Sequence, residues 1–394
     1  MLLPRRLLLS ALGLSIVGCG SSSERSPPAG AGGCKPSTPS PADGFATERD
    51  PASAEVALAR RIADRWLEVH PPEDSPWDWG AGTMMLALGD LYRVTADPRY
   101  RDHYRAYADH WLERTYQVVN SDTCPSAHAA LGVYRETCDE AYRVPVDDVV
   151  AYLEGAPRTD YGGIQHLGSF ELLGRSIWVD SLQMFGSVWT RWAELTRDRT
   201  FLDRYAEQLG VFVEHLQDPG GLFRHAKDFA LAHDTDIYWA RGNGWVTASA
   251  YDYLRVARAL GVDAAPARAA LERQVAALLA SQDPTTGLWW TLLNRPGDIY
   301  LETSASALFA LGMARGVRLG LLGADAKTAA LRAMDGVQSR VIDDAQGRAL
   351  VTGISGPTTA GDAADYAEVP LEDDLDFGVA AVILALLEIS GLGA

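Results

Sequence analysis

A repeated turn motif constrains the fold of this chain more than any other feature of its sequence. The form T-x-D-x-x-[Y/F] occurs at 95–100, 137–142 and 196–201, each time between two apolar helical patterns. The Asp is suited to cap the second helix, and the aromatic ring is suited to hold the corner. Looser copies at 260–267 and 321–329 use Gly to end one helix and Asp to begin the next. The motif therefore predicts a series of helical hairpins.

Apolar residues recur at helical spacing in twelve segments. These segments lie near 52–69, 80–95, 99–116, 126–136, 143–154, 181–196, 200–216, 243–260, 265–281, 303–319, 325–341 and 375–390. The best strand candidates are few, at 288–293 and 348–354. Stacked hairpins form either an open solenoid or a closed ring. Six long connections alternate with the short turns, and this alternation favours an all-α (α/α)6 toroid formed by one domain, 52–394.

The six long connections are expected to meet at one mouth of the ring, and loops of this kind carry function. They cover 71–80, 117–125, 155–180, 217–242, 283–302 and 342–374. The short T-x-D turns would then lie at the opposite end of the ring.

The first residues are typical of an exported lipoprotein. Arg5 and Arg6 precede an apolar run at 7–17, which suits a signal peptide and is too short to span a membrane. The stretch "SIVGC" resembles a lipoprotein cleavage box, so we expect a signal peptide at 1–18 and lipid on Cys19. An ordinary signal peptide with a chance cysteine is the alternative. Residues 19–51 are rich in Ser, Pro and Gly and predict a flexible tether to a membrane facing the periplasm or the cell surface.

Charge and cysteine content narrow the possible partners. The net charge of −17 argues against nucleic acid and anionic membrane surfaces, but it does not exclude a small anion beside one arginine. Export permits a disulfide. Cys124 and Cys138 flank one predicted helix, about 20 Å apart, which is farther than a disulfide spans. The pairing of Cys34, Cys124 and Cys138 stays open, and no Cys/His cluster predicts a metal. No cofactor and no obligate protein partner are expected.

The long connections contain the side chains of a sugar-binding site. Aromatic faces stack on pyranose rings, and carboxylates act as general acids and bases. The stretch "YWARGNGW" at 238–245 sets one cation among flat rings, which suggests a flat anionic ligand. The residues predicted to line one pocket are Trp79, Asp122, His166, Trp178, Asp180, His225, Trp239, Arg241 and Trp245.

Each of these residues also has a purely structural explanation. Asp180 and Asp122 both precede predicted helices and are suited to capping them. Arg241 would serve equally well in a core ion pair or as a carboxylate binder. His166 and His225 are more often loop or core histidines than catalytic ones, and Trp79 and Trp178 are more often core residues.

These segments resemble the unsaturated rhamnogalacturonyl and glucuronyl hydrolases, glycoside hydrolase families 105 and 88. "YWARGNGW" matches their W-x-R-G-N/Q-x-W signature, and "WVDSLQM" and "SDTCPS" match the segments that carry their two essential aspartates. "PRTDYGGIQH" and "GLFRH" match segments with substrate-contacting histidines, and "WDWGAG" sits where the family has a stacking aromatic. The similarity runs from about residue 55 to the C-terminus. Ser181 departs from the pattern, because a second acidic residue often follows the catalytic aspartate.

The resemblance implies hydration of the C4=C5 vinyl ether in a terminal unsaturated uronate left by a polysaccharide lyase. Asp180 would be the general acid and base, and Asp122 the second essential aspartate. We expect the pKa of Asp180 to be raised by apolar walls and by Asp122. Arg241 would hold the uronate carboxylate while Trp239 or Trp245 lines the ring, with Trp79, His166, Trp178 and His225 as further contacts.

Two other interpretations stay open. The toroid would also suit an ordinary glycosidase or a uronate lyase, in which His225 and Tyr238 would supply the base. A surface lipoprotein that binds glycans without turning them over belongs to a different class. Two candidate carboxylates favour an enzyme.

Overall fold

The computed structural model describes residues 34–39, 45, 48–234 and 236–392. The predicted signal peptide at 1–18 and the predicted lipid site at Cys19 lie outside these residues. Within the described part of the chain, no helix is long and apolar enough to cross a membrane.

Thirteen α-helices occupy the described residues, and twelve of them correspond to the twelve predicted segments. They are α1 (Ala54–Val69), α2 (Trp79–Thr95), α3 (Pro98–Leu112), α4 (Ala127–Thr137), α5 (Val144–Gly155), α6 (Ser181–Thr196), α7 (Thr200–Leu216), α8 (Ala240–Leu260), α9 (Ala265–Ser281), α10 (Thr303–Arg318), α11 (Ala324–Gln338), α12 (Ala363–Ala367) and α13 (Asp376–Ile389). The extra helix, α12, is a short one inside the last long connection. Three 3-10 turns lie at Pro72–Asp74, Ser121–Thr123 and Glu140–Arg143.

Eight short strands form antiparallel pairs in the long connections; one pair joins two connections, and each of the other three lies within one. They are β1 (Ile177–Trp178), β2 (Ala226–Lys227), β3 (Trp289–Trp290), β4 (Leu301–Glu302), β5 (Val341–Asp343), β6 (Ala349–Val351), β7 (Ile354–Ser355) and β8 (Leu371–Glu372). β1 pairs with β2, β3 with β4, β5 with β6, and β7 with β8. The predicted strand segments 288–293 and 348–354 contain β3, β6 and the first residue of β7.

Six helices form a closed inner ring. Each of α2, α4, α6, α8, α10 and α13 packs against the next one, and α13 packs back against α2. α1, α3, α5, α7, α9 and α11 lie outside this ring. Inner helices are buried over most of their length, as α10 is, whereas outer helices bury one face, as α7 does. The (α/α)6 toroid predicted from the repeat is confirmed.

The T-x-D turns share one geometry. At the first copy, Ala96 is left-handed, the N–H of Asp97 donates to Thr95 Oγ1, and the Asp97 carboxylate accepts from the N–H of Arg99 at 3.1 Å. The central residues of the three copies have φ values of 52° (Ala96), 54° (Cys138) and 62° (Arg197). Gly261, at φ 66°, ends α8 in one of the looser copies, where glycine relieves the strain of a left-handed backbone.

The connection lengths place the mouth. Every inner helix begins after a long connection, and the first five end in a short turn that leads to an outer helix, so all six inner helices run in the same direction. Their N-terminal ends therefore surround one mouth of the ring, and the T-x-D turns close the other end.

The described part of the predicted tether packs against the closed end. Cys34 forms a disulfide with Cys138, with 5.7 Å between the Cα atoms. The Phe45 ring lies 3.7 Å from the guanidinium of Arg49 and 4.2 Å from that of Arg93, and Arg49 pairs with Glu388. Folded contacts thus begin before the predicted boundary at residue 52. The Ser, Pro and Gly content of this stretch predicted a flexible tether and did not indicate the two residues that anchor it, Cys34 and Phe45. Cys124 is free and buried.

Candidate active site

The two predicted catalytic aspartates lie at the mouth, before neighbouring inner helices. Asp180 immediately precedes α6, and Asp122 lies in the 3-10 turn Ser121–Thr123 that leads towards α4. This turn packs against α6, so the ring itself holds the two segments together.

Asp180 stands at the N-cap position of α6 but does not cap the helix. Its backbone is helical, with φ −58° and ψ −34°, and its side chain makes no capping hydrogen bond. The carboxylate instead lies 3.3 Å from Nε2 of His225, and the side chain is 12% exposed. The capping explanation therefore does not account for this aspartate.

Asp122 is likewise not the cap of its turn. Asn120 performs that function, because its side chain accepts from the N–H of Thr123 while Thr123 Oγ1 accepts from the N–H of Asn120. The Asp122 carboxylate lies 3.6 Å from Nε2 of His166 and is 34% exposed.

A chain of buried side chains connects the two aspartate segments. His166 Nδ1 lies 3.0 Å from Ser181 Oγ, and Ser181 Oγ donates to Ser121 Oγ at 3.1 Å. The order Ser181, His166, Asp122 is that of a nucleophilic triad. Ser181 is 0% exposed and its proton is committed to Ser121, so it braces the site and does not serve as a nucleophile.

Aromatic rings form a wall beside the aspartates. Trp178 stacks on His166, with ring centroids 4.6 Å apart, and meets His225 edge-on at 5.4 Å. Phe229 also packs edge-on against Trp178, with ring centroids 4.8 Å apart. Four residues predicted for the site, Asp180, His225, Trp178 and His166, thus contact one another in this order.

Arg241 lies inside a column of rings and not at the surface. In order, the column contains Trp79, Phe377, Arg241, Trp239 and His225, with successive separations of 4.5, 4.7, 4.5 and 4.3 Å. The flat surfaces around the cation are therefore rings of the protein itself. Phe377 was not predicted as part of the site.

The guanidinium of Arg241 is 0% exposed and holds the last long connection. It donates to the carbonyls of Ser355 and Gly356 at 2.7 and 2.8 Å, and lies 4.0 Å from Glu302. This geometry is that of the core ion pair and not of a directly exposed carboxylate binder. The sequence does not show the contact, because residue 355 is 114 positions away.

Trp245 is separated from the other predicted residues. It lies one turn after Arg241 in α8, is 1% exposed, and belongs to the main hydrophobic core inside the ring. The aromatic signature therefore spans two environments, with Trp239 in the column and Trp245 in the core.

The two aspartates differ in the direction of their pKa shifts. Burial raises the pKa of Asp122, the neighbouring charge of Asp180 raises it further, and His166 opposes both. Burial also disfavours the charged form of Asp180, but contact with His225 and the charges of His166 and Arg241 outweigh it and lower its pKa. This differs from the sequence expectation of a raised pKa for Asp180, because apolar walls are accompanied here by donors.

Tyr366 is a member of the site that the sequence did not indicate. Its hydroxyl lies 2.6 Å from Nδ1 of His225, which is 141 residues away. Tyr366 is carried by α12, packs with Trp239 and is fully buried. Nothing in the local sequence "ADYAE" marks it.

A second acidic pair lies beside Trp79. Burial and the nearby charges of Asp376 and Asp122 raise the pKa of Asp78 to about 6, although its carboxylate accepts from the N–H of Ala81. Burial likewise raises the pKa of Asp376. Among residues 34–39, 45, 48–234 and 236–392, no group of three or more His, Cys, Asp or Glu is arranged to hold a metal ion.

Comparisons with known proteins find related hydrolases. The chain is 28% identical over 257 residues to the unsaturated rhamnogalacturonyl hydrolase YesR of Bacillus subtilis, covering 64% of this chain and 73% of the relative. It is 24% identical over 297 residues to an unsaturated 3S-rhamnoglycuronyl hydrolase of Formosa agariphila, covering 68% and 75%.

Solved structures show the same fold. A possible family 105 member from Klebsiella pneumoniae superposes with a TM-score of 0.75 at 27% identity, covering 87% of this chain and 94% of that one. An unsaturated glucuronyl hydrolase specific for heparin superposes with a TM-score of 0.69 at 13% identity, covering 86% and 96%. The family model of Glycosyl Hydrolase Family 88 matches residues 58–392. The chain is therefore a glycoside hydrolase and belongs to glycosyl hydrolase family 88.

Proposed function

We propose that this enzyme releases the terminal 4,5-unsaturated uronic acid from oligosaccharides produced by polysaccharide lyases. The observation that carries the proposal is the pair Asp122 and Asp180, which face one mouth with opposite pKa shifts. General acid–base catalysis needs one protonated and one ionised group in reach of the same substrate. The names of the related hydrolases support the same substrate class.

The proposed reaction adds water across the C4=C5 double bond. Asp180 gives its proton to C4, and the positive charge that develops at C5 and the ring oxygen is met by water. Asp180, now a carboxylate, takes a proton from that water as its oxygen bonds to C5. The resulting hemiketal opens by breaking the bond between C5 and the ring oxygen. The hemiacetal left at C1 then loses the partner sugar with its hydroxyl restored.

In the free enzyme, the raised pKa of Asp122 and the lowered pKa of Asp180 favour the proton on Asp122. Asp180 must be protonated before it can act as the acid, and the substrate itself supplies the change. A uronate carboxylate bound nearby adds a negative charge, which raises the pKa of Asp180. The proton held by the pair is then available to Asp180 in the complex.

Arg241 supports an anionic substrate through its charge. It is buried next to Asp180 and lies under Trp239, so its field is little screened by water. The exposed partner in the column is Trp79, which is only partly buried and offers a ring face to a sugar. We therefore assign stacking to Trp79 and long-range attraction to Arg241.

One observation bears on the lyase alternative. A Tyr/His pair does exist at the mouth, formed by Tyr366 and His225 instead of by Tyr238 and His225. The Tyr238 phenol interacts with Asp218. Burial and the negative charge of Asp180 raise the pKa of Tyr366 well above its usual value, and this disfavours the phenolate that a lyase base requires. The pair therefore fits a lyase less well than a hydrolase.

An absorbance assay decides between these reactions. Hydration consumes the conjugated vinyl ether, so absorbance falls when the enzyme meets lyase-generated fragments of rhamnogalacturonan, ulvan-type polymers or glycosaminoglycans. A lyase instead creates the chromophore from intact polymer, and absorbance rises. Binding of the fragments with no absorbance change would favour a glycan-binding protein and overturn the proposal.

We further propose, from the sequence alone, that the enzyme is exported and anchored through lipid on Cys19. Metabolic labelling with a radioactive fatty acid should mark the full-length chain and not its Cys19→Ala variant. Equal labelling of both chains, or labelling of neither, would contradict the anchor.

A further inference from the structure

The last long connection brings one hydroxyl to the predicted catalytic residues. Tyr366 lies on α12, and its hydroxyl oxygen is 2.6 Å from Nδ1 of His225. On the other side of the imidazole, Nε2 faces the Asp180 carboxylate at 3.3 Å. Tyr366, His225 and Asp180 thus form a continuous line from this connection to the reacting group.

The hydrogen positions in this line follow from its neighbours. Burial raises the pKa of Tyr366 well above its usual value, so the phenol keeps its proton, and Nδ1 of His225 at 2.6 Å is positioned to accept it. Burial also holds the pKa of His225 below its usual value, which favours the neutral ring with one hydrogen. Since Nδ1 is the acceptor, that hydrogen is on Nε2 and faces Asp180. The contact is off the line of a straight hydrogen bond, and such contacts tighten when substrate binds.

We propose that Tyr366 is a positioning residue that fixes the tautomer of His225 and thereby sets the charge state of Asp180. A hydrogen on Nε2 stabilises the Asp180 carboxylate, whereas a lone pair in its place would repel it. The role of Asp180 in this inference rests on the proposed function. The tautomer of His225 does not rest on the proposed function.

The connection that carries Tyr366 is held at two further points. Arg241 fixes its first part through the carbonyls of Ser355 and Gly356. The Asp362 carboxylate, four residues before Tyr366, accepts from the N–H groups of His233 and Asp234 at 2.9 and 2.8 Å. Hydrogen bonds at two places before α12 thus help to keep the phenol in place, as a positioning residue requires.

The test is the Tyr366→Phe variant, which removes the hydroxyl and keeps the ring. Without a donor at Nδ1, the imidazole can carry its hydrogen there and turn a lone pair to Asp180, so the pKa of Asp180 rises. We expect the Asp180 limb of the pH profile of kcat/KM to move up by about half a pH unit or more. We also expect kcat to fall by about tenfold, because a carboxyl with a higher pKa is a weaker proton donor to C4, while KM changes little.

Tyr205→Phe is the matched control. Tyr205 is also fully buried, and its hydroxyl lies 2.9 Å from Ser249 Oγ, between α7 and α8. Both variants lose one buried hydroxyl, but only Tyr366→Phe should move the pH profile. A Tyr366→Phe enzyme with the kcat and pH profile of Tyr205→Phe would overturn the inference.

Nitrogen NMR reads the tautomer without any activity. The chain has eight histidines, so ¹⁵N-histidine labelling gives few signals, and a His225→Asn variant assigns those of His225. We expect a protonated Nε2 in the unaltered enzyme and loss of that pattern in Tyr366→Phe. A protonated Nδ1 in the unaltered enzyme would overturn the inference. The expected spectra from an enzyme inactive on every unsaturated oligosaccharide would support the tautomer and reject only the proposed function.

Discussion

The hydroxyls of Ser181 and Ser121 are hydrogen-bonded at 3.1 Å, so the residue after Asp180 is tied to the residue before Asp122. Ser181 also contacts His166, which faces Asp122. Where the resembling hydrolases often have an acidic residue, this chain has the hydroxyl that sets the spacing of its two carboxylates. A carboxylate at this position would add a third negative charge to the pair.

Ser181→Ala should therefore affect both stability and turnover. It leaves the buried His166 Nδ1 without its partner, which costs about 1–3 kcal/mol in the free energy of unfolding. We expect kcat to fall by about tenfold, because the two carboxylates lose their fixed spacing. Ser187→Ala is the control, since Ser187 Oγ contacts His128 at 2.8 Å inside the ring. Thermal unfolding should change similarly in both variants, and full activity in Ser181→Ala would contradict the brace.

Asp180→Asn should retain its fold and lose its activity. The side chain makes no capping hydrogen bond, so the melting temperature should change little. Turnover should fall by a factor of roughly 10² to 10⁴, the usual contribution of a positioned acid or base. Asp198→Asn, in a T-x-D turn at the closed end, should keep full turnover. A fully active Asp180→Asn enzyme would end the proposed mechanism.

Arg241→Ala should destabilise the fold by removing the partner of a buried carboxylate. Glu302 is 1% exposed and lies 4.0 Å from the guanidinium, so a loss of about 3–5 kcal/mol is expected. Adding Glu302→Gln should recover part of this loss, because the amide removes the unpaired charge and can still accept from the N–H groups at the start of α10. Chemical denaturation measures both variants. Normal stability of Arg241→Ala with a raised KM would instead favour direct contact between Arg241 and the substrate.

The Cys34→Ser/Cys138→Ser double variant should lose stability without losing turnover. The disulfide joins residues 104 positions apart, and bridges of this kind contribute about 2–4 kcal/mol. It lies at the end of the ring opposite the aspartates, so kcat and KM should stay unchanged. The melting temperature should fall to the value that the unaltered protein shows under reductant. A large loss of kcat in the folded variant would show that the two ends of the ring are coupled.

The helices and the ring could be predicted because they leave patterns among residues that are near in sequence. Period-3.6 patterns and the T-x-D turns report contacts between residues near in sequence, such as Asp97 with Arg99. The twelve long helices and their closure into a ring followed from these signals. The start of the folded chain did not follow from them. Folded contacts begin before the predicted boundary at residue 52, because Cys34 and Phe45 contact residues that are distant in sequence.

The site was predictable only where a side chain precedes an inner helix or follows a motif. Asp122, His166, Trp178, Asp180 and His225 came from such positions, and the structure brings them together. Whether Arg241 and Trp245 face a ligand or the interior depends on the last long connection, which no local pattern reveals. The sequence did not indicate Tyr366 either, because no local pattern reveals where the last long connection lies.

The disulfide between Cys34 and Cys138 also fixes the end of the ring at which the described chain begins. Cys138 ends the inner helix α4, whereas the mouth surrounds the helix beginnings, about 17 Å away along its 11 residues. The described part of the chain therefore begins at the base of the ring, on the side away from the aspartates. Under the proposed anchoring at Cys19, the tether would join the folded ring at the end that no substrate has to enter.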